Sequence, residues 1–205
     1  MYPNKSINRL LQYRTCLNKF KTLGFNKVFS YNLGEEIGVT PEQVRKDFSL
    51  FNIKGHKKGG YDINELLFTI NKLFKSNQSQ QIIVVGMGNI GQALTQYMNY
   101  DESYIQIIAA FDINPVKLKM KFSIPVHPLS ELEEYVKKEK IKIAVLAVPE
   151  IAAQEMCNKL IETGINGILN FTPIVLKVPD NVIVSNVNLQ NEIEELIYLV
   201  NFNKR

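Results

Sequence analysis

Residues 82–91 have the sequence IIVVGMGNIG, in which four aliphatic side chains lead directly into glycines at positions 86, 88 and 91. An aliphatic run of this length is typical of a buried strand, and the apolar side chains of Ala93, Leu94 and Tyr97 favour a helix after the glycines. Between a strand and a helix, a G-x-G-x-x-G motif indicates dinucleotide binding, since the glycines permit a tight turn and the helix N-terminus offers N–H groups to a pyrophosphate. The first candidates for cofactor contacts are therefore Gly86, Met87, Gly88, Asn89, Ile90 and Gly91.

A second apolar run, from Ile105 to Phe111, ends in Asp112, about 20 residues beyond the glycine motif. A carboxylate at this position can accept hydrogen bonds from both hydroxyls of an adenosine ribose, and it would repel a 2′-phosphate. The sequence thus favours NAD and NADH over their phosphorylated forms. The alternative is that Asp112 only caps the turn before Asn114 and Pro115.

Further apolar runs alternate with helical patterns through the rest of the chain. The predicted strands are 124–126, 141–148, 167–169 and 182–184, and the predicted helices lie around 130–139 and 150–163. This alternation predicts an α/β fold with a Rossmann-type doubly wound parallel sheet over residues 82–187. Ligands bind such sheets at the carboxyl ends of the strands, which adds two loops to the candidate cofactor site. The residues of these loops are Ala147, Val148, Pro149, Asn170, Thr172 and Pro173.

The first 76 residues differ in charge from the remainder. They hold thirteen cationic and six acidic side chains, a net charge of +7, whereas residues 77–205 carry −3. A concentrated positive charge favours binding to a polyanion such as DNA. The polar residues 77–81 have no apolar pattern and predict a linker, so we expect a DNA-binding domain at 1–76 and a dinucleotide domain after it.

Three helices are predicted in the first domain. Helical patterns cover residues 6–23 and the residues between Ser30 and Gly38. The segment Thr40-Pro41-Glu42-Gln43 then has the N-cap, the proline and the glutamine of a helix start. Two helices joined by so short a turn predict a winged helix-turn-helix domain whose recognition helix is 41–51.

The recognition helix supplies the first candidate DNA contacts. Gln43 can pair with adenine, Arg45 can pair with guanine, and Lys46 can neutralise a phosphate. The alternative is that Arg45 is an ordinary surface residue of a helix.

Residues 53–61, which are rich in glycine and lysine, predict a hairpin tip that forms a basic wing. Its Lys57 and Lys58 could enter a minor groove or contact the DNA backbone. The alternative is that the two lysines belong to a solvated turn.

The sequence disfavours several other functional classes. No Lys/His, Tyr/Lys or Cys/His combination lies near the predicted strand ends, where Tyr97 is the only phenol, so we expect no enzymatic activity. Cys16 and Cys157 are far apart and the histidines form no cluster, so we expect no metal. Because no stretch of about 18 uncharged apolar residues and no cleavable leader is apparent, we expect a cytoplasmic protein without membrane contact.

The last predicted helix, at about 188–201, has an apolar stripe on one side. The stripe consists of Leu189, Ile193, Leu196, Ile197 and Val200. Such a helix packs either on its own domain or on a partner subunit, and the pattern does not distinguish the two.

Three stretches carry a family pattern: QVRKDFS at 43–49 with Gly60-Tyr61, VGMGNIGQAL at 85–94 with Phe111-Asp112, and Ala147-Val148-Pro149 with GILNFTP at 167–173. In this combination the chain resembles the Rex family of redox-sensing transcriptional repressors of bacteria. The resemblance implies a homodimer that binds a palindromic double-stranded DNA operator when NADH is scarce and is released by NADH. It adds Ser49 and Tyr61 to the candidate DNA contacts. It also implies that residues 188–205 form a dimerisation helix swapped between subunits.

The resemblance further implies a switch near the nicotinamide, for which Tyr97, Arg14 and Asn188 are the candidates. Where family members carry an arginine late in the first helix, this chain has Thr15, with Arg14 one residue earlier. Where they carry an aspartate at the start of the last helix, it has Asn188. Because these two charges can pair across the family's dimer, we expect the coupling between cofactor and DNA to be weaker or differently built here.

Three alternative functions are compatible with the sequence. The first is a winged-helix regulator whose dinucleotide fold no longer controls DNA binding. The second is a small NAD-dependent oxidoreductase with a basic appendage, which the lack of an acid/base pair disfavours. The third is coenzyme A binding through the glycine motif, which Asp112 disfavours.

Overall fold

The computed structural model of this protein describes residues 3–55, 59–74, 80–97 and 105–202. The chain divides into two compact units, Met1–Asn77 and Gln78–Arg205, and each unit has an apolar core of its own. Residues 77–79 of the predicted linker and the lysines Lys57 and Lys58 of the predicted wing lie outside the described residues.

Among its described residues, the first unit contains four helices and a two-stranded antiparallel sheet. Its core takes side chains from every helix, including Leu10, Leu33, Phe48 and Ile70. In chain order the elements are α1 (Asn4–Thr22), β1 (Lys27–Val28), α2 (Ser30–Ile37), α3 (Pro41–Leu50), β2 (Tyr61–Asp62) and α4 (Ile63–Phe74).

The three helices predicted in this unit are confirmed, and local chemistry explains their ends. Gly24 and Gly38 follow α1 and α2 with φ of +84° and +73°, a left-handed conformation that glycine adopts without strain. The hydroxyl oxygen of Thr40 accepts a hydrogen bond from the backbone N–H of Gln43 at 3.2 Å, which caps the start of α3. The helix-turn-helix of α2 and α3 is therefore fixed locally.

The hairpin predicted over residues 53–61 is wrong in its pairing. β2 pairs with β1, which precedes α2, with Lys27 opposite Asp62 and Val28 opposite Tyr61, whereas residues 53–55 form no strand. The chain turns at Asn52, where φ is 57°, and places Ile53 in the core, so packing determines the path here. Helix α4 was not predicted, although its buried residues follow a helical spacing.

Over residues 80–97 and 105–202, the second unit contains a six-stranded parallel sheet with helices between the strands, which confirms the predicted fold class. The strands are β3 (Gln80–Val85), β4 (Ile105–Asp112), β5 (Val126–Pro128), β6 (Ile143–Leu146), β7 (Gly167–Asn170) and β8 (Ile183–Asn186). The helices are α5 (Asn89–Tyr97), α6 (Pro115–Lys119), α7 (Leu132–Glu139), α8 (Glu150–Glu162) and α9 (Leu189–Phe202), with a short 3-10 helix at Leu129–Glu131.

The order of the strands explains where a ligand can bind. Across the sheet the order is β5-β4-β3-β6-β7-β8, so the chain moves outward in one direction from β3 and then in the other direction from β6. The loops after these two central strands diverge to opposite faces and leave a crevice at their carboxyl ends. The glycine motif follows β3, and the loop at 147–149 follows β6.

Helix α9 exposes its apolar side chains. Along Leu189–Phe202 no residue is buried, although the helix carries Leu196, Ile197 and Phe202. None of the helices within the described residues is both long and apolar enough to cross a bilayer.

Candidate cofactor and DNA sites

The glycine motif forms a tight loop between β3 and α5, and its three glycines have different surroundings. Gly86 has a φ of +98°, and a Cβ there would overlap the carbonyl group of Ala147. A Cβ on Gly91 would overlap the carbonyl oxygen of Gly86, so Gly91 lets α5 pack closely on the loop. A Cβ on Gly88 would meet nothing within 4 Å. Gly88 thus leaves open the space in which a pyrophosphate would approach the backbone.

Asp112, at the end of β4, contacts the glycine loop directly. Its Oδ2 atom accepts a hydrogen bond from the backbone N–H of Met87 at 2.6 Å, and its Oδ1 atom accepts one from the backbone N–H of Asn114 at 2.7 Å. The carboxylate therefore caps the turn, as the alternative interpretation held, and also braces the loop. Each oxygen retains a second lone-pair direction that a ribose hydroxyl could use.

A cavity of about 640 Å³ opens at the switch point of the sheet. This volume lies within the range of cofactor sites. Nine predicted cofactor residues line the cavity: Gly86, Met87, Gly88, Asn89, Ile90, Asp112, Ala147, Val148 and Pro149. Sequence analysis did not single out Lys117, Leu129, Ala152 and Met156, which line it as well. Lys117 follows β4, Leu129 follows β5, and Ala152 and Met156 follow β6. A position shortly after the end of a strand is the signal in the sequence that could have identified them as lining residues.

The remaining predicted cofactor residues do not line this cavity. Gly91 is buried behind the loop. Asn170 and Thr172 are buried at the end of β7, where Oδ1 of Asn170 accepts hydrogen bonds from the backbone N–H and the hydroxyl of Thr172 at 3.0 and 2.7 Å. The side-chain N–H groups of Asn170 donate to the carbonyl oxygen of Ile174 and to Oδ1 of Asn186. These two residues hold the loop together, and Pro173 is exposed beside them.

Tyr97 and Cys157 do not line this cavity. The side chain of Tyr97, at the end of α5, is 76% exposed. Burial raises the pKa of the Cys157 thiol, which lowers its reactivity. Within the described ranges no three His, Cys, Asp or Glu side chains are close enough to hold a metal ion.

In the first unit, α3 presents exposed Arg45, Lys46 and Ser49. One guanidinium nitrogen of Arg45 donates to Oγ of Ser30 at 2.9 Å and another donates to Oε1 of Glu42 at 2.7 Å. Arg45 is thereby held between α2 and α3.

Behind this surface, Asp47 is 1% exposed and joins α3 to α1. Arg9 donates to both of its oxygens at 2.6 Å, and the hydroxyl of Tyr13 donates to Oδ2 at 3.0 Å. Burial acts to raise the pKa of Asp47, but the hydrogen bonds from Arg9 and Tyr13 and the charge of Arg9 outweigh it, so the pKa is lowered. Gln43 donates its side-chain amide to Oδ1 of the same carboxylate at 3.0 Å. Sequence analysis missed this network, since Arg9 and Asp47 are far apart along the chain.

Tyr61 is half-buried. Its ring packs edge-on against Phe48, with 5.0 Å between centroids, and burial raises the pKa of its phenol. The tight approach of this ring to Gly55 explains a glycine at that position.

Two of the predicted switch residues have structural contacts of their own. The guanidinium of Arg14 lies 5.4 Å from the centroid of the Phe74 ring, at the end of α4. Asn188 caps α9, and its Oδ1 atom accepts hydrogen bonds from the backbone N–H groups of Gln190 and Asn191. Thr15 is exposed, and its hydroxyl donates to the carbonyl oxygen of Leu11.

Two family models match the chain. A model described as a CoA binding domain matches residues 77–174, and one described as the N-terminus of a putative DNA-binding protein matches residues 3–49. The two matches correspond to the two compact units.

Close relatives align along nearly the whole chain. The redox-sensing transcriptional repressor Rex of Ligilactobacillus salivarius is 38% identical over 200 residues, which cover 97% of this chain and 94% of that protein. The protein of the same name from Oenococcus oeni is 37% identical over 204 residues, covering 97% of this chain and 92% of that protein.

Solved structures of RSP, a Rex-family repressor, have the same fold. RSP in complex with NAD⁺ and operator DNA superposes with a TM-score of 0.89 at 33% identity, covering 98% of this chain and 93% of that chain. RSP in complex with NADH superposes with a TM-score of 0.87 at 32% identity, covering 98% and 95%. In both comparisons the likeness extends over both units of the chain.

Proposed function

This chain belongs to the Rex family of redox-sensing transcriptional repressors, and on that premise we propose that it is a DNA-binding repressor that senses the ratio of NADH to NAD. It binds its operator when NADH is low, and NADH releases it. It is a regulator and not an enzyme, because its relatives are named as transcriptional repressors. A repressor acts where the bacterial chromosome is, so we place it in the cytoplasm.

The observation that carries this proposal is the alignment of both units, in order, with repressors of this family. A dinucleotide fold alone would fit many enzymes, and a helix-turn-helix alone would fit many regulators. RSP has been solved with NADH and, separately, with NAD⁺ and operator DNA, so that protein holds both kinds of ligand. We assign the corresponding two ligands to the two units of this chain.

In the cofactor unit, we propose that the pyrophosphate lies over Gly88 and that Asp112 accepts hydrogen bonds from the adenosine ribose. The open space at Gly88 and the position of Asp112 in the same cavity support this assignment. The carboxylate of Asp112 is held by the backbone N–H groups of Met87 and Asn114, so it needs little ordering before the cofactor binds.

We further propose that the protein acts as a homodimer that reads a palindromic operator. Helix α9 supports this, because its apolar side chains are exposed and a second copy could cover them. A two-fold symmetric protein reads two half-sites, one with each recognition helix.

The proposal is tested by fluorescence anisotropy of a labelled duplex from upstream of the protein's own gene. The duplex is titrated with protein under NADH, under NAD⁺ and without cofactor, at one salt concentration. We expect NADH to weaken binding by roughly 5- to 150-fold, the usual range of allosteric coupling. Binding that is indifferent to both cofactors would leave a regulator without a redox response, the outcome that Thr15 and Asn188 would explain.

Coenzyme A is the second candidate ligand, because the family model that matches residues 77–174 is described by it. The carboxylate of Asp112 in the cavity favours a ribose with free hydroxyls instead. Displacement of bound NADH by coenzyme A at similar concentrations would support the second candidate. Retention of NADH fluorescence under excess coenzyme A would exclude it.

A further inference from the structure

The two oxygens of the Asp47 carboxylate accept four hydrogen bonds in all. Arg9 Nη2 and Gln43 Nε2 donate to Oδ1 at 2.6 and 3.0 Å, while Arg9 Nε and the Tyr13 hydroxyl donate to Oδ2 at 2.6 and 3.0 Å. An ionised carboxylate has about four lone-pair sites, so this buried group has no site left over. Each of the four hydrogen bonds is therefore required to satisfy it.

Of these donor groups, the guanidinium of Arg9 can only donate, whereas the hydroxyl of Tyr13 and the amide of Gln43 can also accept. A glutamine amide carries an acceptor at one end and two N–H donors at the other, and a rotation of half a turn exchanges them. The reversed amide would bring Oε1 of Gln43 against Oδ1 of Asp47, two acceptors without a proton between them. It would also remove one of the two hydrogen bonds to Oδ1, leaving only the one from Arg9. Ionised Asp47 therefore holds the amide in one orientation.

The held orientation determines what Gln43 can offer to a base. One N–H is used by Asp47, which leaves the carbonyl oxygen and the second N–H. Adenine presents a donor at N6 and an acceptor at N7 in the major groove, and this remaining pair matches them. Guanine presents acceptors at both O6 and N7, so it would need two donors from the same amide.

We propose that Asp47 is a positioning residue that fixes the amide of Gln43 and thereby makes the recognition helix prefer adenine to guanine at one position of each half-site. The inference rests on the proposed DNA-binding function and specifies how one residue of that surface achieves its selectivity. Asp47 is only 1% exposed, so it acts on base recognition indirectly, by orienting the side chain of Gln43.

The test compares Asp47→Asn and Gln43→Ala, alone and combined, on operators in which each base pair is varied in turn. An asparagine at 47 can accept from the Gln43 amide or donate to it, so both amide orientations become available. We expect the wild type to favour A over G at one position by about 5- to 150-fold, the range of a good bidentate contact. Asp47→Asn should reduce this ratio at least fivefold at that position only, and the double variant should behave like Gln43→Ala.

Glu65→Gln is the matched control, because it removes one carboxylate from an exposed position of α4 that makes no hydrogen bond with Gln43. Any change in affinity from this variant should be equal on all operators. An unchanged A/G ratio in Asp47→Asn, or an equal loss on every operator, would overturn the inference. If the wild type binds no operator at all, the proposed function itself fails, which is a separate result.

A measurement on the unaltered protein covers the case in which Asp47→Asn does not fold. In the ¹H–¹⁵N spectrum of the full chain, we expect one of the two side-chain amide protons of Gln43 to exchange slowly with solvent, because it is hydrogen-bonded to the Asp47 carboxylate. Two Gln43 protons that exchange as fast as those of an exposed glutamine would contradict the fixed orientation, whether or not DNA binds.

Discussion

The backbone N–H of Met87 donates a hydrogen bond to Oδ2 of Asp112 across 2.6 Å, so the carboxylate that ends β4 also holds the loop that follows β3. The two halves of the cofactor cavity are joined by this contact. A change at Asp112 is therefore expected to alter both the proposed ribose site and the shape of the glycine loop.

We expect Asp112→Asn to lower NADH affinity by roughly 10- to 150-fold, since an amide cannot replace every hydrogen bond to the charged group. The variant should also discriminate less against NADPH, because the charge that repels a 2′-phosphate is gone. Titration of each cofactor against intrinsic NADH or NADPH fluorescence measures both effects. Equal loss for the two cofactors would mean that only the loop was disturbed.

Alanine at Gly88 and alanine at Gly91 are the same chemical change with different expected results. At Gly88 the new methyl group meets nothing within 4 Å, so the thermal midpoint should be unchanged while NADH binding is lost. At Gly91 it overlaps the carbonyl oxygen of Gly86, so the fold itself should be destabilised. Thermal unfolding followed by circular dichroism, together with NADH titration, separates the two. Normal NADH binding by Gly88→Ala would place the pyrophosphate elsewhere.

Arg45→Ala should weaken operator binding by about 1–3 kcal/mol and relax specificity at one base pair, if the guanidinium leaves Glu42 to read guanine. Lys46→Ala provides the comparison, because a phosphate contact should weaken binding equally on all sequences and reduce the salt slope by about 1. Anisotropy titrations at several salt concentrations distinguish the two. A uniform loss in both variants would make Arg45 a phosphate contact.

Arg9→Met should destabilise the first unit by about 3–5 kcal/mol at pH 7, because it leaves the buried Asp47 without its cation. The folded-state pKa of Asp47 is lowered, so this stabilisation is present above the unfolded value of about 3.9 and is lost as the pH falls through the folded value. We therefore expect the difference between wild type and variant in urea unfolding to shrink from about pH 5 downward.

Lys19→Met is the control for that experiment, since Lys19 forms an ion pair with Glu36 on the surface at 2.8 Å. Exposed pairs contribute little, and this variant should follow the wild type at each pH. A constant difference between Arg9→Met and wild type across the pH range would show that lost packing, and not the ion pair, accounts for the effect.

Leu196→Asp should convert the proposed dimer to a monomer, because it places a charge in the apolar stripe of α9. Glu194→Lys changes the charge of the same helix outside the predicted stripe and should leave the mass unchanged. Light scattering during size-exclusion chromatography measures both. A dimeric Leu196→Asp variant would locate the interface on another surface.

Local patterns allowed much of this molecule to be predicted from its sequence. The run of aliphatic residues into Gly86 and the cap at Thr40 act over a few residues, and both elements form where they were expected. The pairing of β2 with β1 and the contact of Arg9 with Asp47 depend on side chains more than thirty residues apart, which no local pattern contains. Asn170 and Thr172 are a further example. Their position at a strand end could be predicted, but the sequence did not indicate whether their side chains face the cavity or their own loop.

The salt bridge between Arg9 and Asp47 has a consequence for how this protein experiences ionic strength. Each DNA phosphate that a protein cation neutralises releases condensed counterions. The slope of log affinity against log salt concentration therefore increases with the number of such cations. The charge of Arg9 is already paired with Asp47 inside the domain. Arg9 therefore neutralises no DNA phosphate and releases no counterion from the DNA. The number of ions released on operator binding will therefore be smaller than the number of basic residues in the sequence, and operator binding will tolerate changes in salt concentration better than the composition suggests.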